Sequence, residues 1–302
     1  MRKLSLILLL ILSTTLLFAA FNPEYSDYQF YNLQEYQTDY DYLEEALKTA
    51  TSDEEKAEIL WRESRTVLTL TDAIDKNDKS LKSARLDGYS KAEALANQSL
   101  ELKESADGYH WLASAIGRIG QVNGPLNSLS KAKPMLGYVE KVQNTFKADA
   151  SDSWYVLGIL YNQLPGGPIS FGNKDYAISY MRRCLDTQDT INRSNLTNFR
   201  ELSDQLYDRD WKADKRAKEF DKMQKKYNKE SVPTEKMKYY EGANGRDGKP
   251  FYSSVTLGSM SDRQEAVMLL KYALAVYNAK SNKLPSEDKQ ASEIQARLNE
   301  IT

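Results

Sequence analysis

The chain is poor in the side chains that most enzymes use. Its 302 residues include one cysteine, Cys184, and one histidine, His110. An internal disulfide is therefore excluded. A structural zinc site takes about four Cys or His ligands, and this chain offers two. A Ser–His–Asp arrangement would have to use His110, and a Cys–His dyad would have to pair Cys184 with it. Gly (14) and Pro (8) are also few, which argues against an all-β protein built on many tight turns. Charge of one sign is lacking too: 41 basic residues face 43 acidic ones, for a net charge of −2. A general nucleic-acid binder needs a basic surface. Apolar residues make up 41% and charged residues 28%, enough to bury a core and too mixed for general disorder.

The N-terminus has the layout of a secretory signal peptide. Met1, Arg2 and Lys3 form a basic start, Leu4 to Phe18 an apolar run, and Ala19-Ala20 a small-residue cleavage site. The run is shorter than the roughly 20 residues of a comfortable membrane span. We read residues 1–20 as a cleaved signal and residues 21–302 as one domain, exported to the periplasm or secreted. Retention of the segment as an anchor is the alternative. No Cys follows the apolar run, so a bacterial lipoprotein anchor is excluded. Cleavage would remove Arg2 and Lys3 and make the chain more acidic.

From about Tyr40 onward, apolar residues recur every three or four positions, which predicts an almost wholly helical body. The pattern also repeats. Trp61-x-x-Ser64-Arg65-x-x-Leu68 is followed by Tyr109-x-x-Leu112-Ala113-x-x-Ile116, then Trp154-x-x-Leu157-Gly158-x-x-Tyr161, then Phe199-x-x-Leu202-Ser203-x-x-Leu206. Successive starts lie 48, 45 and 45 residues apart. The third copy matches the tetratricopeptide helix-A pattern W-x-x-L-G-x-x-Y at all four positions. Its small residue lets a partner helix approach closely. Partner helices B are read from Ala92, Ala96 and Ser99, from Tyr138, Val142 and Thr145, from Ala177, Met181 and Cys184, and from Ala266, Leu270 and Ala273. Ala213, Ala217 and Phe220 are an alternative for the fourth. The expected fold is an all-α, TPR-like solenoid of about four helix hairpins.

These repeats exceed the usual tetratricopeptide length of about 34 residues. The excess predicts insertions of about 15, 12, 7 and 51 residues between helix A and helix B, building up one rim. The largest lies within residues 210–260. It opens with a charged helix, Trp211 to Glu230, read as mostly solvated, with Trp211, Ala217, Phe220 and Tyr227 packing inward. A loop follows, in which Gly242, Gly245 and Gly248 read as a flexible turn, because the spacing is not that of a phosphate loop. The second and third insertions begin alike, with Gly124-Pro125-Leu126 and Gly167-Pro168-Ile169. Asn173 is placed to cap the helix after the third. The aromatic N-terminal stretch, from Tyr25 to Tyr42, is expected to pack across the first repeat. Cys184 lies on an apolar helical face and is read as buried and inert.

The stretches Ile59–Arg62, Tyr109–Ala113 running to Gly120, Trp154–Gly158 with Pro168–Asn173, and Pro285–Asp288 with the helix to Leu298 resemble the tetratricopeptide proteins associated with bacterial TRAP transporters. They also resemble the related regulator-of-microtubule-dynamics tetratricopeptide family. The resemblance implies an all-α solenoid and a periplasmic accessory protein. The transporter-associated members imply oligomerisation, a cavity that accepts a ligand, and pairing with a solute-binding protein. The chain departs from them in lacking a lipoprotein Cys and in carrying the 210–260 insertion.

Nothing marks a catalytic carboxylate pair among the 43 acids. The chain is therefore read as non-enzymatic, with no cofactor and no metal. Its expected partner is a protein or peptide, with a homo-oligomer as a further option and nucleic acid excluded. The alternative is a small, partly apolar ligand carried for a TRAP-type transporter. The candidate binding residues are Tyr109, His110, Trp111, Trp154, Tyr161, Asn162, Pro168, Ser170, Phe171 and Asn173, from the helix-A groove and the third rim loop.

Overall fold

A computed structural model describes residues 21–188 and 195–302. The expected signal segment, residues 1–20, lies outside them. Every regular element among the described residues is helical. The short helix α1 (Pro23–Asp27) leads into a π-helical turn (Tyr28–Leu33) and then α2 (Tyr36–Thr49). The hairpins follow: α3 (Asp53–Asp72) with α4 (Lys82–Leu102), α5 (Ala106–Asn123) with α6 (Leu129–Glu140), and α7 (Ser151–Gln163) with α8 (Lys174–Thr187). Next come α9 (Leu196–Arg209), α10 (Ala213–Lys229), α11 (Pro233–Met237), α12 (Asp262–Ala279) and α13 (Pro285–Ile301).

Local chemistry sets the helix starts. Ser52, Ser105, Asn173 and Asn195 each accept a hydrogen bond from a backbone N–H of the following first turn, satisfying donors that have no partner within the helix. Ser261 and Gln264 form a reciprocal capping box at α12.

The helices stack as a solenoid. Four A–B pairs are joined through contacts of α4 with α5, α6 with α7, and α8 with α9. The fourth helix B is α12, which packs on α9 across the whole insertion. The small helix-A residue explains the register. Ser64 Oγ donates to the Ala92 carbonyl at 2.7 Å, and Ser203 Oγ donates to the Ala266 carbonyl at 3.0 Å. At the same contact of the third pair, one residue later in its motif than Ser64 stands in the first, a Cβ on Gly158 would lie 3.4 Å from the Ala177 carbonyl and 2.6 Å from Met181 Sδ. Each helix pair thus meets where its side chains are smallest. The alternative helix B at Ala213 to Phe220 is overturned: α10 packs instead against the insertion, with Phe220 buried beside Met223, Leu257 and Met260.

The second pair corrects the sequence reading. Its packing residues begin with Ala132, Met135 and Val139, all buried; of the expected set, Val142 is buried and Tyr138 stacks on Tyr109, whereas Thr145 is exposed. Ala132 follows Tyr109 by 23 residues, the same gap as from Trp154 to Ala177. The second insertion therefore matches the third at seven residues. Pro134, inside α6, had hidden the helix. Met135 reaches over Gly117, where an added Cβ would sit 3.0 Å from its Cε.

One hydrophobic cluster runs from Ala96 to Ile294, through α5 to α9, α12 and α13. Cys184 is wholly buried in it, and burial pushes its thiol well above the ordinary range, as an inert packing cysteine requires.

The insertion is anchored by buried charge. Arg182 of α8 donates to both oxygens of Glu265, at 2.6 and 2.7 Å, and to Glu241 at 3.0 Å. Arg209 grips Asp262 at 2.8 and 3.0 Å and also bridges Glu241. Arg216 of α10 bonds Glu265 and lies 3.2 Å from Asp262. All six side chains are nearly or fully buried. Burial alone would raise the Glu265 and Glu241 carboxyls, but the surrounding arginines outweigh it and hold both below the ordinary carboxylate range. The expectation of a solvated α10 face fails at Arg216, which is fully buried. The loop glycines pack rather than merely bend: a Cβ on Gly242 would lie 2.4 Å from the Gln224 backbone nitrogen.

Candidate functional site

A cavity of about 260 Å³ opens among the A helices. Leu68, Thr69 and Asp72 come from α3, His110, Trp111 and Arg118 from α5, Asp152, Tyr155 and Ile159 from α7, and Asn198 from α9. Met135 and Lys131 of α6 complete one wall. The lining is mainly apolar and aromatic, with polar groups at intervals, the usual make-up of a binding cleft.

Sequence periodicity places these residues. The aromatic that opens the second, third and fourth helix-A motifs turns toward its own helix B, and the next residue projects to another face. Tyr109 and Trp154 are buried, while His110 and Tyr155, each one position later, line the cavity. In α3 the register lies one residue earlier: Leu60 packs against α4, and Trp61, at the offset position, stacks with Arg62 outside the cavity lining.

The charges at one end are paired. Arg118 holds Asp72 through Nε at 2.9 Å and Nη2 at 3.0 Å, and the Tyr89 hydroxyl donates to Asp72 at 2.7 Å. At the other end lie His110 and Asp152. Burial pushes the His110 imidazole below its ordinary value of 6.5, while the nearby Asp152 and Asp107 carboxylates pull the other way. His110 is therefore neutral at pH 7. Its Nδ1 is buried without a hydrogen-bond partner. Tyr155 is pushed up to about 12, chiefly by burial. Gln188 Nε2 donates to the Asn195 carbonyl, so Gln188 Oε1 accepts from Asn198 Nδ2 and Asn198 Oδ1 is left unpaired.

A strap crosses the first hairpin beside this end. Asp27 Oδ1 accepts from Arg65 Nη1 at 2.6 Å and from Arg62 Nε at 3.2 Å, and its Oδ2 accepts from Arg62 Nη2 at 3.2 Å. Despite burial, the two arginines hold the Asp27 carboxyl below the usual range. Phe30 lies under Arg65, 4.0 Å from ring centre to guanidinium carbon. Asp39 of α2 is fully buried and accepts from Ser26 and Thr66, both at 2.6 Å. The strap then meets the far end of the solenoid, where Gln34 Nε2 donates to Ser286 Oγ of α13 at 2.6 Å.

Of the ten residues singled out from the sequence, His110 and Trp111 line the cavity. Tyr109 donates to Glu104 at 2.7 Å and carries Lys141 over its ring. Trp154 is buried against Tyr180 and donates to Asp149 at 2.6 Å. Tyr161 is buried among Phe171, Tyr176 and Tyr180. Phe171 is half-buried there, and Asn173 caps α8 through its side chain. Asn162 and Ser170 are half-buried, and Pro168 is exposed on the rim. The structure thus brings together two of the ten at the cavity and adds Asp72, Arg118, Tyr155 and Asn198. The one-residue offset from the packing motif was the available signal for Tyr155.

The fold and the cavity define the class as an all-helical solenoid with a cleft along its A helices. Residues 26–163 match the family model described as regulator of microtubule dynamics protein 1-3. The match starts within α1 and ends at the last residue of α7, so it spans most of the strap and most of the cavity wall. No curated protein matches the chain.

Proposed function

We propose that the protein is an exported, non-enzymatic TPR-like scaffold that binds a protein or peptide segment along the cleft of its A helices. The observation that supports this most is the cleft itself, in which Trp111, Tyr155 and a neutral His110 alternate with apolar side chains. Aromatic side chains with a polar tip suit such an interface. Signal-directed export agrees with the basic, then apolar, N-terminal sequence. Partner capture from native extracts by the full chain, compared with His110→Ala and Tyr155→Ala variants, tests the reading. One co-purifying protein, lost from both variants, is the expected result. Equal capture by variants and parent would overturn it.

A second reading is favoured by the cavity volume. About 260 Å³, just under the usual size of small-molecule pockets, has room for a small, partly apolar molecule, which would suit an accessory of a TRAP-type transporter working with a solute-binding protein. Native mass spectrometry of protein from its own compartment separates the two. A bound small molecule supports the carrier, and a bound polypeptide supports the scaffold.

A further inference from the structure

The cleft's first hairpin already holds an occupant, and that occupant is the chain's own strap. Asp27 satisfies Arg62 and Arg65 together, and Phe30, three residues later, lies beneath Arg65. Three residues is one helical turn, so a carboxylate and an aromatic ring project from one face of a short helical segment. The receiving surface is built for that pair. Arg65 is fully buried and Arg62 nearly so, with Arg62 stacked 4.0 Å over Trp61. Buried guanidiniums need a carboxylate to stay paired, and two forked donors favour a carboxylate over a neutral oxygen.

The strap has the marks of a separable segment. It consists of two short helical pieces, α1 and the π-helical turn, and ends at Gln34 in the left-handed region, with φ 56°. That conformation is uncommon for a residue other than glycine and sets a discrete joint before α2. Tyr25, Tyr28 and Leu33 face solvent, and Ser26, Gln29 and Phe30 are the buried side chains of residues 23–33. Elements with few buried side chains open at lower free energy than the core.

We propose that the Arg62–Arg65 face of α3 is an anchoring site for a partner protein segment that carries a carboxylate and an aromatic ring one helical turn apart. Residues 23–33 are its resident occupant, which the partner displaces. This rests on the peptide-binding reading above and names the chemistry of the peptide. The charge match commits the site to an acidic–aromatic segment. A second copy of the chain would offer the same residues only by exchanging its strap.

The test uses the full chain and a fluorescent peptide of residues 22–34. Fluorescence anisotropy compares the parent chain with an Asp27→Asn chain, whose own strap no longer supplies the carboxylate. The expected result is at least tenfold tighter binding to the variant. A peptide carrying Asp27→Asn is expected to lose at least tenfold on the same chain. If Asp27→Asn fails to fold by circular dichroism, a Phe30→Ala chain serves instead, because it vacates the aromatic seat and keeps the carboxylate. Absence of peptide binding to the folded variant, or equal binding of the Asp and Asn peptides, overturns the proposal. A dimer of the parent chain by light scattering, dissociated by the peptide, would also overturn it by assigning the seat to a second copy. Partner capture that ignores His110→Ala and Tyr155→Ala speaks against the cleft reading alone and leaves the peptide result standing.

Discussion

Two buried clusters of arginine and carboxylate hold the molecule's added segments to its solenoid, and they are built differently. In the insertion, Arg182, Arg209 and Arg216 meet Glu241, Asp262 and Glu265, and both Glu265 oxygens and both Asp262 oxygens are engaged. The carboxylates there are sealed from solvent. At the strap, Arg62 and Arg65 also meet carboxylates, but Asp27 keeps 31% of its side chain exposed. The insertion cluster ties together α8, α9, α10, α12 and the loop bearing Glu241. The strap's contacts tie an 11-residue segment to two elements, α3 through Asp27 and α2 through Ser26. Charge burial alone does not distinguish a permanent clamp from a removable one. The number of elements that must separate at once does.

That difference ranks the expected effects. Glu265→Ala should be the most damaging, because it removes the shared carboxylate and leaves the solvent-free guanidiniums of Arg182 and Arg216 only Glu241 and Asp262. Breaking a buried pair in this way costs about 3–5 kcal/mol, and urea denaturation should show the loss as a lower midpoint. Asp27→Asn should cost less, about 1–2 kcal/mol, since Glu58 and Asp39 remain near the two arginines. Equal losses in the two variants would erase the distinction.

A pH series separates the clusters from the cavity. Glu265 and Glu241 are held below their ordinary 4.5, so their contribution is complete above that value. It is lost as pH falls through the depressed folded values, where the folded carboxylates at last take up protons. His110 acts at higher pH. Burial disfavours its charged form, so below about 6.5 the unfolded chain binds the proton first and stability declines. Thermal midpoints between pH 7 and pH 5 should therefore fall less steeply in His110→Gln than in the parent. The slope involved is at most about 1.4 kcal/mol per pH unit, the smallest of these effects. Identical slopes would show that burial does not disfavour the charged form of His110.

The helix pairing was legible in the sequence because it depends on volume. Ser64, Gly158 and Ser203 are small where another helix passes, and small residues at fixed spacing can be read from one chain. The second pair was misread because Pro134 interrupts its pattern while Ala132 and Val139 still pack. The cavity was only partly legible. Trp154 and Tyr161 stood out as large aromatics at motif positions, but those positions face their own helix B. Tyr155 lay one residue away with no pattern of its own. The buried arginines were not legible at all. Arg216 sits in a run of lysines and acids, and only the return of α12 beside α10 supplies Asp262 and Glu265 to pair with it.

The central distinction is between an openable strap and a fixed insertion. Hydrogen exchange of the full chain at neutral pH measures this directly. The amides of residues 26–33 should exchange through local opening, well before those of residues 262–270, which should exchange only with the α9–α12 core. Equal protection of the two stretches would contradict the account and make the strap a permanent part of the fold.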